Sequence, residues 1–118
     1  QRTKQIMSDP WEIITKMSEN IRRNKKVRCT DGFEMSVQAG KFNYCTPPNN
    51  DGPYSQVEVG FPSAREEMLM QWAEDPEDPT GTVYGWVPVS VVTNVIAKHG
   101  GVVDGEVPEG VAKLEPIE

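Results

Sequence analysis

Phe33, Met35 and Val37 alternate with Glu34, Ser36 and Gln38, and the alternation begins just after Thr30-Asp31-Gly32 and the shorter run Val27-Arg28-Cys29. A period of two marks a half-buried strand, and a glycine-bearing gap between two such runs marks a hairpin. The register can be chosen from the side chains alone. A two-residue turn at Asp31-Gly32 would set Thr30 opposite Phe33 and throw Val27 and Cys29 onto the polar side. A three-residue loop with Gly32 left-handed in a bulge pairs Cys29 with Phe33 and Val27 with Met35, which gathers every apolar residue on one face. A second turn, at Ala39-Gly40 or Gly40-Lys41, then predicts a third strand with Phe42 and Tyr44 on the face of Met35 and Val37.

The same meander fixes an expectation for the chain's two cysteines, Cys29 and Cys45. Cys29 falls on the apolar side, whereas Cys45 neighbours Tyr44 and points the other way. The intervening strand separates them by roughly 9–10 Å, more than the roughly 7 Å a disulfide spans. Reduced, structural thiols are expected. A zinc site would need both thiols and the single histidine, His99, without any short-spaced ligand pair, so no metal and no cofactor is expected.

Helical signals flank this sheet. Asp9, Pro10 and Glu12 suit the N-cap, N1 and N3 positions, and Ile14, Met17 and Ile21 follow at helical spacing. Arg22, Arg23, Lys25 and Lys26 crowd the end of that helix and complement its dipole. Beyond the turn-rich run Thr46 to Pro53, Val57, Val59 and Phe61 alternate as a fourth strand. Ser63 to Ala73 divides into one helical turn at 63–67, with Ser63 and Glu66 as a capping pair, and a strand at 68–73 with Met68, Met70 and Trp72 alternating. The acidic loop 74–81 closes a hairpin with the strand 82–87. A second helix starts at Pro88, places Val92, Val95, Ile96 and His99 on one face, and stops at Gly100. The fold class expected is α+β: an antiparallel meander of about five or six strands flanked by an N-terminal and a C-terminal helix. Residues 1–101 form a single domain, with 1–6 preceding Met7 as an extension. Residues 102–118 form an acidic, flexible tail that could add an edge strand at Val102-Val103.

Charge is distributed unevenly. Residues 1–60 carry nine Lys and Arg against seven Asp and Glu, whereas residues 61–118 carry three against eleven, for a net of −6 overall. An acidic half disfavours direct binding to a phosphate backbone, which needs clustered cations. No apolar run reaches the ~18 residues of a membrane span. The chain has no glycine-rich phosphate loop, nucleophile elbow or paired-histidine motif, and no carboxylate has an evident acid–base partner. The expectation is a non-enzymatic protein.

The blocks "KKVRCTDGFEMSVQA", "VEVGFPS" and "GTVYGWVPVSVVTNVIAKHGG" resemble small uncharacterised accessory proteins encoded by tailed bacteriophages and prophages. The resemblance runs from about Met7 to Gly101. It implies a small protein in the cytoplasm of a bacterial host and brings no catalytic residues with it.

Together these readings predict a monomer or homodimer that binds a host or phage protein. Through an acidic surface it would inhibit a host defence or nucleic-acid-handling complex. The expected contact residues are Trp72 and Trp86 on the hairpin, Glu74, Asp75, Glu77 and Asp78 in its acidic loop, and Asn49, Asn50 and Asp51 in the stiff polar loop. Two alternatives stand beside it: a virion assembly protein that self-associates through a sheet edge, and a small-nucleotide sponge using the basic end of the first helix.

Overall fold

The computed structural model describes residues 24–116. Five strands run in chain order: β1 (Val27–Cys29), β2 (Glu34–Gln38), β3 (Gln56–Gly60), β4 (Val83–Pro88) and β5 (Val102–Asp104). All pair antiparallel, in the spatial order β4-β3-β2-β1-β5. A 3-10 helix (Glu67–Trp72) precedes β4, and one α-helix, α1 (Val89–Lys98), follows it. The fold is therefore mostly β, and the expected α+β meander between two helices is corrected on that finding. The N-terminal helix of that expectation, from Asp9 onward, lies outside the described residues.

The β1–β2 hairpin takes the register its side chains demand. Val27 faces Met35, the Cys29 amide donates to the Phe33 carbonyl, and the Gly32 amide returns to the Cys29 carbonyl. Gly32 has φ +95°, and a Cβ there would meet no other atom within 4 Å. Backbone strain alone penalises a larger residue at that site.

The third strand of the expected meander is absent. Residues 41–44 are turn and bend, and only Thr46 forms an isolated bridge, to Gln56. The partner of β2 is instead β3, with Val37 opposite Val59. The β-branched pair Val57 and Val59 suits a ladder better than Phe42-Asn43-Tyr44-Cys45, which leads straight into Pro47 and Pro48. Burial is inverted from the expectation: Phe42 and Tyr44 are exposed, whereas Cys45 is buried, its Sγ 3.2 Å from both the amide and the carbonyl of Gly40. The segment expected as a strand at 68–73 is the 3-10 helix, which buries Leu69, and 63–66 is not helical.

One face of the sheet carries the core. Val27, Cys29, Met35, Val37, Val57, Val59, Tyr84 and Val87 point inward and meet Leu69 together with Val92, Val95 and Ile96 of α1. Helix α1 is rich in β-branched residues, and Pro88 gives it no side-chain cap. Its stability comes from this apolar face, each fully buried aliphatic side chain contributing ~2 kcal/mol.

Both sheet edges are covered by the chain itself. Beside β4, Ala73 bridges Tyr84 and the Glu74 amide donates to Val83. Beside β5, the Val102 amide donates to Leu114. Residues 105–112 run back over the molecule: the Glu106 amide bonds the Lys25 carbonyl, the Tyr54 amide bonds the Glu109 carbonyl, and Val111 is buried.

Both cysteines are free and buried, and burial pushes the Cys29 thiol up to about 11. A thiol reagent at neutral pH should therefore leave both unmodified in the native protein and titrate both after denaturation. Gly32→Ala should cost about 1 kcal/mol in a urea melt, from left-handed strain alone.

Candidate functional site

The expected contact residues fall in three places. Glu74, Asp75, Glu77 and Asp78 are all exposed on the loop before β4. The loop is stitched to its strand, because the Glu74 amide donates to Val83, the Asp75 amide to Thr82 Oγ1, and the Asp78 amide to the Asp75 carbonyl. Asp75 Oδ1 accepts from the Glu77 amide, and Tyr84 donates its hydroxyl to the Pro79 carbonyl at 2.5 Å. Among the described residues none of these four carboxylates forms an ion pair. Trp72 is half-buried at the end of the 3-10 helix and packs against the core rather than presenting its ring.

Asn49, Asn50 and Asp51 form a tight loop. Asn49 Oδ1 accepts from the Asp51 amide, the Asn49 carbonyl accepts from Tyr54 Oη, and Asn50 Oδ1 accepts from the Lys41 amide. Asn50 also lines a cavity of about 430 Å³, together with Asn24, Lys41, Asn43, Tyr54 and Glu109. Asn49 and Asp51 do not reach it.

Trp86 belongs to a different constellation. In β4, Gly85 and Trp86 together stand opposite the single residue Glu58, between the pairs Val57–Val87 and Val59–Tyr84. This is a β-bulge, and Trp86 takes φ +53° within it. A bulky residue in left-handed backbone is strained by roughly 1–3 kcal/mol, and such strain clusters at functional positions. The bulge turns the indole outward, where it stacks on Tyr44 with centroids 4.8 Å apart and 25° between planes. Three hydrogen-bonding and packing contacts hold Tyr44. Its amide donates to Glu58 Oε1 at 2.9 Å, its carbonyl accepts from the Trp86 amide at 3.1 Å, and its Cβ lies against Gly85, where an added Cβ would sit tightly at 3.2 Å. Tyr44 is 46% exposed, Trp86 49% and the adjacent Phe42 69%. Tyr44 and Trp86 thus form a stacked pair of rings open to solvent, with Phe42 exposed two residues before Tyr44.

A second cluster, on the other side of the hairpin, was not legible in the sequence. Glu66 is buried at 2% exposure, caps the 3-10 helix by accepting from the Met68 amide, and receives Lys98 Nζ at 2.7 Å and His99 Nε2 at 2.6 Å. The other ring nitrogen, Nδ1, lies 2.6 Å from Asp31 Oδ2, and the imidazole stacks on Phe33 at 4.1 Å. Burial would push the Glu66 carboxyl up, but the hydrogen bonds from Lys98, His99 and Met68 hold it below its ordinary value. The Phe33 amide and then His99 do the same for Asp31. Glu66 and Asp31, joined through the two ring nitrogens of His99 and with Lys98 on Glu66, have their carboxylate oxygens taken up by one another's partners and form a self-satisfied network. Among the described residues no group of three or more His, Cys, Asp or Glu is placed to hold a metal ion. No helix there is long and apolar enough to cross a membrane.

No family model, no curated protein and no solved structure matches this chain.

Replacing His99 by Ala removes one of the two side-chain partners of the buried Glu66 carboxylate, which keeps Lys98, and should lower the midpoint of a denaturant melt at pH 7. Because both carboxylates titrate below their unfolded values, their contribution is present above about pH 4 and is lost as pH falls through the folded values. Denaturant melts should therefore show the gap between wild type and His99→Ala narrowing in acid.

Proposed function

We propose that this chain is a non-enzymatic protein-binding domain, an accessory factor of the phage kind its sequence blocks resemble. It would act by occupying a cationic surface of a host or phage protein. The observation that carries this reading is the Tyr44–Trp86 pair, two large rings stacked on each other and left half in water by a strained bulge. Burying aromatic side chains is the ordinary solution for a sheet protein. Tyr and Trp presented to solvent on a rigid frame are the residue types that dominate protein–protein interfaces. Phe42 extends the apolar surface.

The loop at 74–78 supports the cationic character of the partner. Its four carboxylates carry no ion pair among the described residues, and its backbone is already fixed by hydrogen bonds to β4. Such charges steer association and select the sign of the partner more than they add affinity. Exposed aromatic anchors and exposed carboxylates suit a partner that offers apolar and basic groups together.

Affinity capture from a bacterial host lysate tests the reading with three baits: wild type, Tyr44→Ala/Trp86→Ala, and a variant with Glu74, Asp75, Glu77 and Asp78 changed to their amides. A partner held by wild type should be lost with the aromatic variant, each anchor contributing about 2 kcal/mol, and should associate more slowly with the amide variant. Equal recovery by all three baits would refute the proposal.

A further inference from the structure

Glu58 lies beside the Tyr44–Trp86 pair, on the strand that the bulge faces. One of its oxygens, Oε1, accepts from the Tyr44 amide at 2.9 Å and from Asn43 Nδ2 at 3.5 Å. The other, Oε2, takes no hydrogen bond from any described residue, and the carboxylate forms no ion pair among them. The nearby Lys41 does not neutralise it: its ammonium sits over the Phe42 ring, 5.9 Å from the centroid. A half-buried carboxylate therefore stands with one free oxygen beside the stacked rings of Tyr44 and Trp86.

We propose that the free oxygen of Glu58 and the ring faces of Trp86 and Tyr44 form a receptor for an arginine side chain of the partner protein. The proposal rests on the binding-domain reading above and names the group its paired rings receive. Charge complementarity selects a cation, because both the negative ring faces and the carboxylate attract one. Planarity selects arginine over lysine. A guanidinium can lie flat on the indole while its in-plane N–H groups donate to Oε2, and it sheds water more readily than an ammonium does. Nucleobases also stack on aromatic rings, but their phosphates would meet Glu58 and the carboxylates at 74–78.

The test is a titration of the 118-residue chain at physiological salt with three capped peptides, Gly-Arg-Gly-Arg-Gly and its lysine and citrulline counterparts. The Trp86 indole N–H resonance, assigned by its loss in Trp86→Phe, is the readout. The arginine peptide should shift that resonance, the lysine peptide should bind several-fold more weakly, and the uncharged citrulline peptide should leave the resonance unmoved. Glu58→Gln keeps an acceptor for the Tyr44 amide but removes the charge, so it should weaken arginine binding roughly tenfold with thermal stability unchanged. The amide variant of the 74–78 loop should retain the Trp86 shift. Equal binding of the citrulline peptide, an unaffected Glu58→Gln, or a shift produced instead by a single-stranded oligonucleotide would overturn the assignment. Lysate capture separates the two levels. A partner lost with Trp86→Ala but kept with Glu58→Gln sinks the arginine receptor and leaves the binding domain standing, whereas one kept by both sinks both.

Discussion

A buried carboxylate must find partners or lose its charge, and in this molecule the partners of Glu66 come from across the chain. The amide of Met68 fixes the start of the 3-10 helix, Lys98 and His99 bring the end of α1, and His99 passes the connection on to Asp31 in the β1–β2 loop. Segments more than thirty residues apart are thereby held in one geometry. An apolar contact could slide by a fraction of a side chain, but a histidine between two carboxylates has only one arrangement that satisfies both nitrogens. The stacking of its ring on Phe33 joins this polar lock to the core of the hairpin. With the register of the sheet so pinned, β4 meets β3 in a fixed alignment, and the bulge at Gly85-Trp86 becomes a defined feature rather than a slippage.

The division between what could and could not be read in advance follows the range of the interactions. The β1–β2 register was legible because alternation and a single glycine loop leave one solution, and that is the one found, Val27 opposite Met35. Helix α1 was legible from its apolar stripe and its terminating glycine. The stretch Phe42 to Cys45 misled because two aromatic residues at alternate positions imitate a strand where the chain only turns. Residues 41–44 are turn and bend rather than strand, so the pattern set no face: Phe42 and Tyr44 are exposed, and Cys45 goes inward. Met68, Met70 and Trp72 misled in a different way, since a short 3-10 turn buries Leu69 between them and leaves the others only partly covered.

The same logic governs the candidate site. Trp86 could be singled out as an aromatic in a strand pattern, and the carboxylates at 74–78 as a block of charge. Tyr44 and Glu58 could not, because they join Trp86 only through a long excursion of the chain, and each has an ordinary local reading as a strand residue. Asp31, Glu66 and His99 lie still further apart, at 31, 66 and 99, with no spacing that links them. An aromatic beside a glycine in a strand, as in Gly85-Trp86, was the one local hint of a bulge.

The pairing of Arg28 with Asp104 closes the sheet with a strand drawn from the far end of the described chain. During synthesis, β1 emerges long before Val102–Asp104 exists, so one flank of the hairpin stays open while most of the polypeptide is still being made. Non-local closure of this kind slows assembly and lengthens the time a naked strand can pair with a neighbouring nascent chain. The exposed charges of Arg28 and of Lys25, which meets Asp104 once the last strand arrives, are suited to discourage such mispairing.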